Sequence, residues 1–420
     1  MSFVNVAPGS DFPLENLPYG IFSTAESVKS CSIGVAIGDQ ILDVSKVAQF
    51  FVGPELSRWR STLTKPTLNE FLALGPAAWK EARSTLQRLL SKNESAIRDN
   101  DALRSSALVP QEKARMHLPA VIGDYTDFFS SKYHAANCGR MFLGEETSLL
   151  LHLAEWAPLA YHGRSSSIVP SGTCIRRPWG QQKPPDTEAP IFEPSKMVDF
   201  ELETAFLVGP GNELGTPISI DKTSEHIFGM VLLNDWSARD IQMWESSPLG
   251  PFLGKSFATT ISPWVVTMDA LKPFRAENFD QSKSLLSYLR CEGPNSFDIN
   301  LEVTIKPDSS DEAHTICRSN FRYLYWSMNQ QLAHHTINGC NVKPGDLIAS
   351  GTVSGPNEDS LGCMLELSWR GTKSIRLGNG VSRKFLEDGD EINLKGWCKN
   401  SNLRIGFGNC AGKLLAAHFF

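Results

Sequence analysis

A chain of 420 residues, 41% of them hydrophobic, carries enough apolar side chain for a large core and is expected to form roughly two to three domains. Charged residues make up 20% and leave a net charge of −6 with no basic face or tail, which excludes nucleic acid and anionic lipid as partners and leaves a small molecule. The opening MSFVNVAPGSDFPLENLPYG lacks the basic-then-apolar order of a signal peptide, and no run of about 18 apolar residues occurs, so the chain is expected in the cytoplasm.

In chain order, SIGVAIGDQILDV (Ser32 to Val44) brackets a Gly-Asp turn with apolar residues and predicts a β-hairpin. From Thr67 to Arg104, Leu, Phe and Trp recur at spacings of three and four, which predicts one or two surface helices. The polar, proline-bounded segment Val109 to Pro119 reads as a hinge and divides residues 1–118 from residues 119–420. Beyond it, short apolar runs such as IFGMVLLND, SPWVVTMDAL, FDINLEVTIK, GDLIASGTV and DEINLKGWC alternate with turns. That spacing predicts a sandwich, roll or barrel, not alternating βαβ units. Helices are predicted only around Ala238 to Glu245 and Tyr323 to Thr336 in this part. The nine cysteines are scattered, odd in number and without a C-x-x-C pair, so neither a disulfide framework nor a zinc site is expected.

Three segments carry candidate chemistry. Side chains alternate along MVDFELETAFLVG, so Asp199, Glu201 and Glu203 fall on one face and Phe200 and Leu202 on the other. Carboxylates so close raise each other's pKa unless a cation lies between them, which fits a hard divalent ion; a solvated acidic face fits the pattern as well. In VLLNDWSARDIQMWE a buried strand ends at Asp235 and a helix follows, so Asp235 is either held rigidly at a site or caps the helix. Arg239 and Gln242 come next, and Lys255 lies in PLGPFLGKSFATT, where glycines either admit a ligand close to the backbone or form an ordinary turn. In IGDYTDFFSSKYHAAN, His134 follows Asp127 and is a base only if something orients it; otherwise it is a surface or core residue. Glu366, in the apolar run CMLELSW read as a strand, must be paired if ionised there, and pairing with a histidine would supply that orientation.

Taken together, IGDYTDF, YHGR (Tyr161 to Arg164), FELE, NDWSARDIQ, GPFLGKSF, ASGTVSGP and LELSW resemble the fumarylacetoacetase (fumarylacetoacetate hydrolase) family, and the likeness runs on to RIGFGNCAGKLL. The resemblance implies a mainly β chain with some helix. Residues 1–118 would be an SH3-like barrel domain with a helical extension and 119–420 a mixed β-roll catalytic domain, paired as a homodimer. It implies hydrolysis of a carbon–carbon bond in a 1,3-diketone, with Ca²⁺ or Mg²⁺ bound by Asp127, Glu201, Glu203 and Asp235. His134 would be the general base, oriented by Glu366, and Arg239, Gln242 and Lys255 would face the developing alkoxide. Tyr161, Thr352 and Gln242 would contact substrate, and Lys255 and Thr259 would help to hold a second, structural cation.

The chain departs from the family pattern at three substrate-facing positions. Phe129 and Ser246 stand where the family places tyrosines, and Leu143 where it places an arginine. Each change removes a polar group, so a less acidic or more apolar acyl group is expected, unless Arg140, on the same helical face as Leu143, restores the charge. Ala160 also replaces a usual glycine just before Tyr161. The same metal–enolate chemistry could serve a lyase, decarboxylase, isomerase or cyclase, and a ligand-binding paralogue could keep the cleft without catalysis. The presence of both His134 and Glu366 favours water activation.

Overall fold

The structure is a computed structural model that describes residues 1–25, 30–142, 144, 147–281, 284–378 and 380–418. Near the N-terminus, Tyr19–Thr24, Ser32–Ile37 and Gln40–Asp43 pair as an antiparallel meander. The predicted hairpin turns at Gly38, whose φ of 58° and contact with the Asn5 carbonyl leave no room for a Cβ. Leu108–Pro110 and Ala114–His117 complete the sheet as its two edges, and the whole curls into a half-barrel. The segment read as a hinge is therefore largely paired backbone. Pro110 is tolerated there because an edge strand has no ladder bond to lose on its outer side.

The region expected to hold one or two helices holds four, at Asn69–Leu72, Pro76–Leu89, Ser95–Arg98 and Asp101–Ala107. Local chemistry makes the breaks. Gly75, with φ 85°, ends the first and Pro76 opens the second at its first position, while Glu94 and Asn100 cap the next two by accepting from Ala96 and Leu103 N–H groups. The long helix buries Ala78, Trp79, Ala82, Leu86 and Leu89, the stripe that the periodicity announces.

The rest is organised by an eight-stranded mixed sheet in the order Ala160–Gly163, Tyr125–Phe128, Leu347–Ala349, Leu202–Val208, Ile227–Asp235, Thr259–Ile261, Ile168–Pro170, with Val266–Thr267 also paired to Ile227–Asp235. Every residue of Leu202–Val208 and Ile227–Asp235 is buried, because the sheet is covered on both faces. Phe206, Val208, Met230, Leu232 and Ile348 enter the main core beneath a second sheet of five strands, built on Asn300–Lys306, Glu391–Lys399 and Arg404–Leu415. Their neighbours Ala205, Leu207, Val231, Leu233 and Leu347 point the other way, into a core shared with Ile21, Phe71, Leu72 and Trp79 of the N-terminal unit. The two later helices form at Arg239–Glu245 and Met328–Thr336, the second opened by a Ser327–Gln330 capping box. Among the described residues no helix is long and apolar enough to cross a membrane.

Leu207 is fully buried in the core that joins the two units. Leu207→Ala is expected to lower the unfolding free energy by about 2–5 kcal/mol, read from the midpoint of a denaturant titration.

Candidate active site

Four carboxylates meet at one end of the eight-stranded sheet. Asp127 is the penultimate residue of the buried strand Tyr125–Phe128, opposite Tyr161, Glu203 lies near the start of Leu202–Val208, and Asp235 closes Ile227–Asp235 opposite Thr259. Glu201 sits in the break between Val198–Asp199 and Leu202–Val208, where it bridges to Cys363. One oxygen from each of the four lies within 4.8 Å of the others, and all four residues are buried.

This density of charge is answered by two cations. Lys255 Nζ stands 2.5 Å from Asp235 Oδ2 and 2.8 Å from Glu201 Oε2, and Arg239 reaches Glu201 Oε1 at 2.5 Å and Asp199 Oδ2 at 2.9 Å. Burial, with repulsion from Asp235, pushes Asp127 well above the ordinary carboxylate range, and burial with repulsion from Asp127 does the same to Glu203. Asp235 is raised chiefly by burial against the pull of Lys255. Glu201 moves the other way: burial would raise it, but Lys255 and Arg239 hold it low. Two oxygens, Asp127 Oδ1 and Glu203 Oε1, are buried with no hydrogen-bond partner among the described residues. Hard oxygen donors that converge, repel and lack partners fit a divalent cation.

Beside the cluster lies a histidine–carboxylate pair. His134, on the helix Lys132–Phe142, engages Glu366 Oε2 through Nδ1 at 2.7 Å. Asn137 Nδ2 donates to Glu366 Oε1 at 2.7 Å and Ser354 Oγ to Oε2 at 2.6 Å, so the carboxylate is fully held. Burial would raise its pKa, yet His134 and these donors keep it below the usual value. For His134, burial opposes the charged ring, but Cys138 and Glu366 outweigh it and raise its pKa. Glu366 lies on a short helix, Met364–Leu367, and not on the strand that its apolar run suggested; a run so short does not distinguish the two periods. His134, Cys363 and Glu366 are also close enough to hold an ion, but the hydrogen bonds already formed by Glu366 favour the orienting role.

The remaining predicted residues distribute as follows. Tyr161 donates to Asp235 Oδ2 at 2.9 Å, and Thr259 Oγ1 lies 3.4 Å from Asp235 Oδ1. Lys255 lies in a short helix, Leu253–Ser256, and stands there as an ammonium donor; with no lone pair to give, its side chain is not a ligand for a second cation. Gln242 Oε1 accepts from Arg239 at 3.1 Å, and Arg239 Nη2 has no hydrogen-bond partner among the described residues. Thr352 Oγ1 is likewise buried without one. Phe129 packs edge-on against His134 with ring centroids 5.2 Å apart. Ser246 turns its hydroxyl back to the Gln242 carbonyl at 2.5 Å, at the end of the helix Arg239–Glu245. Arg140 is exposed and lies 3.5 Å from Asn137 Oδ1, while Leu143 lies outside the described residues. Asp235 is not the helix cap, a position held by Ala238.

Asp199 is the main surprise. It leaves the face of Glu201 and Glu203, taking Arg239 and the backbone N–H groups of Met364 and Leu365 at 2.7 and 2.9 Å. Alternation places Asp199 with the acids instead of in the scaffold, and Asn137 and Ser354 are absent from the sequence reading of the site. Only Asn137, three residues after His134 on a helix, offered a local signal.

Residues 125–414 match the family described as Fumarylacetoacetate (FAA) hydrolase C-terminal, and residues 15–119 match Fumarylacetoacetase N-terminal. The chain belongs to the fumarylacetoacetate hydrolase family. It is 59% identical over 423 residues to the fumarylacetoacetase of Bos taurus, covering 100% of both chains. It is 59% identical over 420 residues to that of Homo sapiens, covering 99% of both. A solved fumarylacetoacetate hydrolase from psychrophilic Exiguobacterium antarcticum shares the fold at 16% identity, with a TM-score of 0.52 over 95% of this chain and 99% of that one.

Because Asp127 and Glu203 are raised in the metal-free protein, a cation must displace protons to bind them. Affinity for a divalent ion is expected to fall as pH falls, with net proton release on binding. Calorimetric titrations in two buffers of different ionisation enthalpy measure that release.

Proposed function

We propose that this chain is a hydrolase of carbon–carbon bonds that splits fumarylacetoacetate between its acyl carbonyl and the central methylene. What carries the reading is the buried acid cluster set beside a fully oriented His134–Glu366 pair, in a chain 59% identical over its whole length to fumarylacetoacetases. Asp127, Glu201, Glu203 and Asp235 would hold a divalent ion, Mg²⁺ or Ca²⁺, both of which take carboxylate oxygens. When bound, such an ion polarises a 1,3-dicarbonyl and lowers the cost of releasing an enolate.

The protein's own groups do the rest. Glu366 fixes the ring through Nδ1, which leaves Nε2 of His134 to take a proton from water as its oxygen adds to the acyl carbonyl. Arg239, whose Nη2 is unpartnered, and Lys255 place positive charge where the alkoxide develops, and Gln242 steadies the guanidinium. Collapse breaks the carbon–carbon bond, and the departing carbon receives the proton. Water thus supplies OH to the acid product and H to the ketone product. Tyr161 and Thr352 offer hydroxyls to bound substrate from the same rim.

The acyl group meets an apolar wall at Phe129, while Ser246 spends its hydroxyl on backbone, so diketones with less acidic acyl groups should be accepted too. The chain is read as a cytoplasmic homodimer. Supporting the pairing, Met243, Trp244, Leu249, Phe252 and Leu253 expose apolar surface along one segment; sedimentation velocity tests it.

Two outcomes test the reading. His134→Ala is expected to lower kcat by about 10² to 10⁴, followed by the loss of fumarylacetoacetate absorbance, with metal affinity retained. For the wild type, kcat/KM on an acylacetoacetate with an apolar acyl group should fall within about tenfold of that on fumarylacetoacetate, since no acyl carboxylate clamp is then being lost. Absence of fumarylacetoacetate turnover in the metal-loaded protein rejects the assignment.

A further inference from the structure

One helical turn after His134, the helix Lys132–Phe142 carries Cys138. Its Sγ lies 3.5 Å from His134 Nε2 and 3.9 Å from Nδ1. Since Nδ1 is engaged with Glu366 at 2.7 Å, the thiol's working partner is Nε2, at the shorter of the two distances. His134 is 4% exposed, whereas Cys138 is half-buried. Cys363, near the other side of the pair, is buried and donates to Glu366 Oε2 at 3.3 Å. One half-buried thiol therefore shares the nitrogen read above as activating water, in a site whose proposed substrate carries a carbon–carbon double bond conjugated to a ketone.

We propose that Cys138 is a covalent modification site for α,β-unsaturated ketones, through a thiol–imidazole pair with His134. The proposal rests on the reading of function above for the way the electrophile is delivered. His134 Nε2 takes the thiol proton, and Sγ bonds to the β-carbon of the conjugated double bond. The π bond breaks, its electrons move onto the α-carbon and carbonyl as an enolate, and His134 returns the proton to the α-carbon. No oxidant or reductant is needed. The resulting thioether has no proton to exchange and fills the space beside Nε2, so water activation stops. Thiol and water thus compete for a single base, and an unsaturated substrate that lingers silences the enzyme that holds it.

The test uses the metal-loaded full chain with trans-4-oxo-4-phenylbut-2-enoic acid, an unsaturated keto acid with no 1,3-diketone to hydrolyse. Intact mass, peptide mapping and residual fumarylacetoacetate hydrolysis are followed together. A single adduct on Cys138 is expected, with activity lost in step and protection by the saturated 4-oxo-4-phenylbutanoic acid. Cys138→Ala should keep its own starting activity under the same treatment. His134→Gln, which keeps the thiol, should form the Cys138 adduct about tenfold or more slowly. An adduct confined to the exposed Cys174, equal inactivation of Cys138→Ala, or an unchanged adduct rate in His134→Gln overturns the proposal. A Cys138 adduct in a chain that does not hydrolyse fumarylacetoacetate removes the functional reading and leaves the thiol site standing; hydrolysis without the adduct does the reverse.

Discussion

Mutual repulsion among four buried carboxylates is the constraint around which the chain is arranged. Left alone, Asp127, Glu201, Glu203 and Asp235 would drive their strands apart or take up protons, and Asp127 and Glu203 each retain an oxygen that no group among the described residues satisfies. Lys255 and Arg239 neutralise only part of that charge. The remainder is a standing demand for an external cation, held in place by the folding energy of a sheet buried on both faces.

The acids and the base pair are linked by a single chain of hydrogen bonds. Glu201 binds Arg239, Arg239 binds Asp199, and Asp199 accepts the backbone N–H groups that open the helix carrying Glu366. Glu366 in turn sets the ring of His134. Placement of the acid cluster's oxygens and of the imidazole is therefore not independent: a shift in Asp199 is transmitted to both. Buried networks of this kind hold their members in one arrangement, which fixes the imidazole relative to the acid cluster even with Arg239 Nη2 left over.

Much of this was legible in the sequence. Alternation along FELE placed Glu201 and Glu203 together, and the apolar run ending at Asp235 declared a strand end at a buried site. The long helix Pro76–Leu89 and the hairpin turn at Gly38 followed from periodicity and turn chemistry. The failures share a cause. Whether CMLEL is strand or helix, and whether Val109 to Pro119 hangs free or closes a sheet, depends on partners distant in the chain: Glu366 meets His134 across 232 residues, and Ala114–His117 pairs with Tyr19–Thr24. Asp199 was misplaced because strict alternation was assumed through a break between two strand pieces. Breaks of this sort are invisible to a pattern of period two.

The face of the sheet that carries Glu203 and Asp235 also packs on the N-terminal unit, where Ala205, Leu207, Val231 and Leu233 lie against Ile21, Phe71 and Trp79. Coordination of a small cation tolerates distance errors of only about 0.2 Å. Variation in the first hundred residues that shifts this packing would then disturb the acid cluster along the same face of the sheet, so a lesion remote from all four carboxylates can be mistaken for one among them.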